Sequence, residues 1–506
     1  MLTRLTRPLR LQRTTLILIS ALLLAAALIS TAEAQKQDNR WFGPYRLSSE
    51  EGTVLANGGA IAADQYGNVH AIWAEGGYPI NRFIIQYARF DGITWSVPID
   101  IFISPEGATF GAFSSPVIDP DGDMYFAMTV GQLGPIFIFR APATDALSAR
   151  NWERIQTLSY PAFRTELQVD GNGLLHLVYS DFFSSAAGMY YLRSADKGKT
   201  WSAPMWLDPE IPSTFGAGPL DFEIDRQTGV FHLLYKYEEK LEDAFEGREI
   251  VYLRSLDSGQ SWEDPKIIDL ADEEAGELRA NEVVMATNGP EVVVVWSGTV
   301  DVQREMIVSH DSGATWQNPV RVFGNLSGSA GDDMVTDATG DMHYLGQIRY
   351  PQGLYQISWE NGGWSLPALI YLINEDADHL IGGRIHIHYI QAAVRLGNQL
   401  VLVFTDSPGT NPRFLYTMYR TLDGIAQEQA APTPAPTPTA TLEPTADGLA
   451  DSASASPTPV PFDRNAPAES TDPGSVLLVA MVAVIALIAV VYFARFGRPS
   501  RRTTIR

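Results

Sequence analysis

One pattern constrains this chain more than any other: Trp-x-x-Pro recurs at Trp41, Trp95, Trp201, Trp262, Trp316 and Trp364, and Trp152 fills the one gap. Successive tryptophans stand 54, 57, 49, 61, 54 and 48 residues apart. A self-similar unit of this size is the signature of a propeller or a solenoid, because one unit cannot bury its apolar face without a neighbour.

Each unit also holds two short apolar runs joined by a polar Gly turn. Examples are Asp64-Gln65-Tyr66-Gly67-Asn68, Asp119-Pro120-Asp121-Gly122-Asp123 and Asp170-Gly171-Asn172-Gly173. Asp, Asn and Gly supply the left-handed backbone of a tight hairpin, so the runs read as an inner pair of strands. A third strand follows, as over Met189 to Ser194, Ile250 to Ser255 and Met306 to Ser309. The Trp-x-x-Pro segment is expected on a fourth, outer strand, since proline cannot donate to a ladder and suits a sheet edge. Four strands per unit describe a propeller blade.

The chain ends predict how the ring closes. After Trp364 three more strands are expected, around Gln391 to Val394, Leu400 to Thr405 and Arg413 to Arg420, with no further Trp-x-x-Pro. Trp41-Phe42-Gly43-Pro44 stands alone at the start and would complete that last blade. The expectation is an all-β, seven-bladed propeller over residues 40–424, with a six-bladed ring as the alternative.

The flanks suggest export and anchoring. Arg4, Arg7, Arg10 and Arg13 precede an apolar run ending at Ile29, and Ala32-Glu33-Ala34 offers a cleavage site, so residues 1–34 read as a signal peptide. Residues 425–474 are rich in Pro, Thr and Ala and read as a disordered, extended stalk. Residues 475–494 have the length and apolarity of a transmembrane helix, and the arginines of 495–506 would hold that end in the cytoplasm. The propeller is therefore expected outside a single-pass membrane anchor.

There is no cysteine, which excludes thiol nucleophiles and disulfides. The net charge is -23, and setting aside +3 in the first 34 residues and +5 in the last 12 leaves about -31 between them. Such a charge argues against nucleic acid and leaves glycans, basic proteins or cations as partners. No motif calls for a cofactor.

Ser194-Ala195-Asp196-Lys197-Gly198-Lys199-Thr200-Trp201, Ser255-Leu256-Asp257-Ser258-Gly259-Gln260-Ser261-Trp262 and Ser309-His310-Asp311-Ser312-Gly313-Ala314-Thr315-Trp316 follow the form Ser-x-Asp-x-Gly-x-Thr-Trp, with Ser261 in place of Thr in the second. Phe90-Asp91-Gly92-Ile93-Thr94-Trp95 is a shortened copy. In this respect the chain resembles the sialidase-like Asp-box, or BNR-repeat, propellers over residues 40–424. The resemblance implies that Asp196, Asp257 and Asp311, with Gly198, Gly259, Gly313 and Trp201, Trp262, Trp316, are structural residues of the rim.

A propeller's ligand site opens where inner strands surround the channel. Aligned on the hairpins, one inner position holds Ile61, Pro116, Leu167, Phe222, Val284, Met334 and Ala392 and reads as packing. The position before it holds Ala60, Ser115, Glu166, Asp221, Val283, Asp333 and Gln391. Glu223, Arg164, Arg279, Glu282 and Arg384 fall nearby, giving either a mouth that binds a ligand or structural Arg–carboxylate pairs.

The resemblance to sialidases implies three arginines on a substrate carboxylate, an Asp acid/base and a Tyr nucleophile activated by Glu. Arg164, Arg279 and Arg384 would form the triad, Asp221 or Asp333 the acid, and Glu166 or Glu282 the partner of a tyrosine such as Tyr389. The family's opening Phe/Tyr-Arg-Ile-Pro motif has no counterpart here, because Tyr45-Arg46-Leu47-Ser48 is assigned to an outer strand. Glycan or protein recognition is therefore expected first, an exo-sialidase or related glycoside hydrolase second, and an envelope scaffold or assembly factor third. Asp119-Pro120-Asp121-Gly122-Asp123 opens like a calcium loop but lacks Glu at its twelfth position and reads as a hairpin. His70, His176, His232 and His343 occupy matching second-strand positions and read as satisfied blade residues.

Overall fold

A computed structural model of the chain describes residues 40–49, 53–77, 80–131, 133–181, 187–208, 215–240, 245–270, 283–297, 303–327, 331–349, 352–372, 387–406 and 413–427. Seven antiparallel sheets follow one another through these residues. Their inner strands are Thr53–Ala63, the broken pair Phe110–Phe113 and Val117–Ile118, Arg164–Val169, Phe215–Ile224, Val283–Asn288, Asp333–Thr336 and Ile387–Arg395. Each touches the next, and the seventh touches the first. The protein is a seven-bladed propeller, and the six-bladed alternative is excluded.

The seventh blade joins both ends of the domain. Phe42–Arg46 pairs with Phe414–Thr421 as the outer strand of a sheet whose other members are Gln399–Asp406 and Ile387–Arg395. Phe42, Tyr45 and Tyr419 stack across this seam. Closure in this way leaves no open sheet edge between the first and last blades.

Seven apolar clusters hold the ring, one at each interface between adjacent blades. The packing register read along the inner strands is realised: Ile61, Pro116, Leu167, Phe222, Val284, Met334 and Ala392 are all buried. Burying one large apolar side chain contributes about 1.5–3 kcal/mol, so a ring of such interfaces stabilises the domain without disulfides.

The tryptophans wedge between blades. Trp152, Trp262 and Trp316 meet third-strand tyrosines of the preceding blade, Tyr87, Tyr191 and Tyr252, edge to face at 5.3, 5.4 and 4.9 Å between ring centres. One expectation is corrected. In five copies Trp-x-x-Pro lies before the outer strand, which starts only at Ile99, Met205, Lys266, Val320 or Ala368. The residue after Trp returns its N–H to the third strand, as from Ser96 to Arg89 and Glu263 to Arg254. The proline then stands in the bend, where a missing donor costs nothing. Of the six Trp-x-x-Pro prolines only Pro44 lies within a strand, at an irregularity between Phe42 and Tyr45.

The Ser-x-Asp-x-Gly turns join third to fourth strands. In the last of them Asp311 accepts the Ser309 hydroxyl at 2.8 Å, the Thr315 N–H at 2.7 Å and the Thr315 hydroxyl at 2.6 Å. Lys197, Ser258 and Ser312 take φ of 60°, 59° and 53° ahead of the glycines, a left-handed pair of residues that the motif did not reveal.

Within the described residues no helix is long and apolar enough to cross a membrane. The expected signal peptide, the stalk from 428 onward and the 475–494 helix lie outside those residues.

Candidate functional site

Strand direction divides the propeller into two ends. The inner hairpins and the Ser-x-Asp-x-Gly turns share one end, while the connections between second and third strands and between blades share the other. Asp196, Asp257 and Asp311 stand at the first end. Hydrogen bonds hold the carboxyls of Asp196 and Asp311 down at about 2, with the Thr200 and Thr315 hydroxyls as the largest cause. They are ordinary ionised turn residues.

The hairpin histidines belong to the blade interior. His70, His176 and His232 bring Nδ1 to the hydroxyls of Tyr87, Tyr191 and Tyr252 at 2.8, 2.8 and 2.7 Å. His343 meets Ser358 instead, at 2.9 Å. Burial pushes His176 and His232 down to about 4, so both are neutral. The Asp119–Asp123 hairpin receives a cation from its neighbour: Lys197 sets Nζ 2.8 Å from Asp121 and 2.9 Å from Asp123.

Glu166, Asp221, Glu223 and Asp333 are on inner strands of the third, fourth and sixth blades. Each is partly exposed. Yet the wall crowds out water around them, and burial is the first cause pushing every one of these carboxyls up. Glu166 and Asp333 rise to about 8 and Asp221 to about 7. The charge of Asp221 adds to the rise of Glu166, Glu223 and Asp333, so the acids are close enough to repel.

Their partners lie in adjacent blades. Asp221 accepts the Met285 N–H at 2.7 Å, and Asp333 accepts the Ala392 N–H at 2.6 Å. Glu223 accepts the Thr287 hydroxyl at 3.2 Å, and Glu166 accepts the Ser115 backbone N–H. Gln168 donates to the Phe222 carbonyl at 2.6 Å, and Thr336 donates to the Thr287 carbonyl at 2.9 Å. Ser115 donates to Gln391 at 3.1 Å, linking the second and seventh blades past the first. Ala60 is the first blade's residue at that position, and its small side chain leaves the path open. These bonds run around the channel from blade to blade.

Glu166, Asp221, Glu223 and Asp333 thus accept backbone N–H and hydroxyl donors of neighbouring blades. Arg164 lies near enough to Glu166 for its charge to oppose the rise there, and its buried Nε has no hydrogen-bond partner among the described residues. Arg304 and Asp332 do form a buried pair, with two guanidinium nitrogens within 3.1 Å of the carboxylate, but behind the channel wall with Tyr344.

Tyr389 is in the inner strand of the seventh blade, where pairing shifts between His388 and Gln391. Its φ of 52° is left-handed, which a tyrosine seldom adopts. Gly58 and Gly331 face it so closely that a Cβ on either would stand 2.6 Å from a Tyr389 atom. Arg279, Glu282 and Arg384 lie outside the described residues. The periodicity gave no sign of Ser115, Ala60 and Gln391 as a unit, and only aligning the seven hairpins puts them in one column.

No family model matches the chain, and no curated protein matches it. Among solved structures, polysaccharide lyase Uly1 superposes with a TM-score of 0.53 at 9% identity, over 78% of this chain and 95% of that one. A ulvan lyase superposes with a TM-score of 0.51 at 11% identity, over 76% of this chain and 96% of that one. The NanB sialidase of Streptococcus pneumoniae gives 0.42 at 14% identity, over 76% and 70%. At such identities the likeness to the two lyases is one of fold.

Proposed function

We propose that the propeller recognises a glycan at its channel mouth and that the ligand is neutral in charge. The observation that carries this reading is the group Glu166, Asp221 and Asp333, whose carboxyls rise to between about 7 and about 8. Near neutral pH such groups exchange between donor and acceptor forms, which suits vicinal sugar hydroxyls that both give and take hydrogen bonds. A ligand carboxylate would add negative charge to a wall that already strains to hold its own. The neighbouring folds include enzymes that act on glycans, which agrees with this reading without carrying it.

A second reading is a glycoside hydrolase. Its support is that a carboxyl raised toward neutrality is what a general acid needs, and that Asp333 is two residues from Gly331, which packs on Tyr389. We further propose that residues 475–494 anchor the propeller outside a membrane, which protease accessibility of the full chain in intact cells tests. The two glycan readings separate on a panel of fluorogenic sialosides and neutral glycosides. Binding without turnover supports recognition; turnover lost in Arg279→Ala establishes the enzyme.

A further inference from the structure

Four aromatic rings form a ladder on the third blade and its neighbour. Tyr160 stacks on Tyr179 with ring centres 5.6 Å apart and planes 9° apart. Tyr179 stacks on Tyr190 at 5.1 Å and 12°, and Tyr190 on Trp206 at 5.9 Å and 16°. Tyr179, Tyr190 and Trp206 are register partners on successive strands, and the same row begins at Thr165, between Arg164 and Glu166 on the inner strand. The ladder therefore crosses the third blade from the buried Tyr179 on its second strand to Trp206 on its outer strand, with Tyr160 of the second blade's outer strand covering Tyr179.

Its last rung is exposed and firmly seated. Met205–Trp206 is the edge strand of its sheet among the described residues, and Trp206 is 40% exposed. Gly188, at φ +152°, makes room for it: a Cβ there would stand 2.5 Å from the indole Nε1. The next residues are pinned as well. Leu207 donates its N–H to the Met189 carbonyl at 2.8 Å, and the buried Asp208 accepts hydroxyls from both Tyr235 and Tyr237. A large flat ring held rigidly at the surface loses little entropy when something stacks on it.

We propose that Trp206, backed by Tyr190, is a second sugar-binding subsite that stacks the C–H face of a neutral saccharide in a glycan running outward from the channel mouth along the third blade. The chemistry selects this occupant. A pyranose offers an apolar C–H face to an aromatic ring and hydroxyls to water, as an exposed indole beside polar groups requires. Asp181, itself buried, lies close enough to Tyr179 and Tyr190 to influence both phenols. The net charge of -23 disfavours acidic chains. This subsite rests on the glycan reading and extends it from a mouth to a track.

The test is calorimetric binding of the full chain and two variants to neutral mono- and hexasaccharides, taking β-1,4-linked glucose, β-1,3-linked glucose and β-1,4-linked N-acetylglucosamine as probes. Trp206→Ala is expected to weaken binding of a recognised hexasaccharide roughly ten-fold, in line with the loss of one stacked ring, and to leave any monosaccharide affinity unchanged. Trp206→Phe is expected to keep most of the hexasaccharide affinity. Equal hexasaccharide binding by wild type and Trp206→Ala overturns the subsite alone. Absence of binding to every probe by wild type overturns the glycan reading and the subsite together. A Trp206-dependent dimer in sedimentation, with sugar affinity unchanged, assigns the shelf to a second copy and also overturns it.

Discussion

Asp221 on the inner strand of the fourth blade accepts the backbone N–H of Met285 on the inner strand of the fifth, at 2.7 Å. The same device joins Asp333 to Ala392 between the sixth and seventh blades. Acids that line the channel thus also fasten neighbouring blades, and their ionisation is coupled to the stability of the ring.

The sign of that coupling follows from the shifts. From the ordinary values of 3.8 and 4.5 up to about 7 or 8, folded Glu166, Asp221 and Asp333 hold protons that the unfolded chain has released, so stability falls as pH rises. His176 and His232, lowered from 6.5 to about 4, act in the opposite direction between those values. Above pH about 6.5 the acids act without that offset. Thermal melting is expected to drop between pH 6.5 and 8, by an equivalent on the order of 2 kcal/mol, and to flatten in Glu166→Gln/Asp221→Asn/Asp333→Asn. A wild-type melting temperature that rises across the window contradicts the shifts.

Arg304 is almost wholly buried against Asp332, Tyr344 and the Gln347 carbonyl. Asp332→Asn leaves a buried guanidinium without its counter-charge and is expected to cost about 3–5 kcal/mol in denaturant unfolding. Replacing both partners, as Arg304→Met/Asp332→Leu, is expected to cost less. The opposite order would mean that the pair does not act as a unit.

Gly313 and Gly229 have similar left-handed φ, +77° and +72°, but different surroundings. A Cβ at Gly313 would overlap the Tyr252 hydroxyl of the preceding blade, whereas nothing lies within 4 Å of one at Gly229. Gly229→Ala is expected to cost about 1–2 kcal/mol, the backbone strain alone. Gly313→Ala adds overpacking at a blade interface, for about 2–4 kcal/mol in all. Equal losses would show that the turn does not press on the tyrosine as described.

The architecture was legible because it repeats. Trp41 to Trp364 set the period, and Trp41 predicted the outer strand Phe42–Arg46 of the closing blade. The tilt of each Trp-x-x-Pro off its outer strand was not legible, since a proline before an edge strand and one within it leave the same residue pattern. The column Ala60 to Gln391 was found by alignment, but the partners of its acids were not. Met285 and Ala392 contribute backbone N–H groups, which every residue but proline carries, so no side chain announced them. The bond from Ser115 to Gln391 joins residues 276 positions apart through the space above Ala60, which only the closed ring brings together. Trp206 stands off the tryptophan period, and its stacking depends on strand register rather than on any local motif.

The most direct measurement of the central claim is the affinity of the full chain for matched glycan pairs that differ only in a terminal carboxylated sugar, with Asp221→Asn/Asp333→Asn measured beside it. Neutral members are expected to bind more tightly than their carboxylated counterparts, with a preference that narrows in the variant as negative charge leaves the channel wall. Tighter binding of the carboxylated members by the wild-type chain would contradict the account and point to an arginine-lined site.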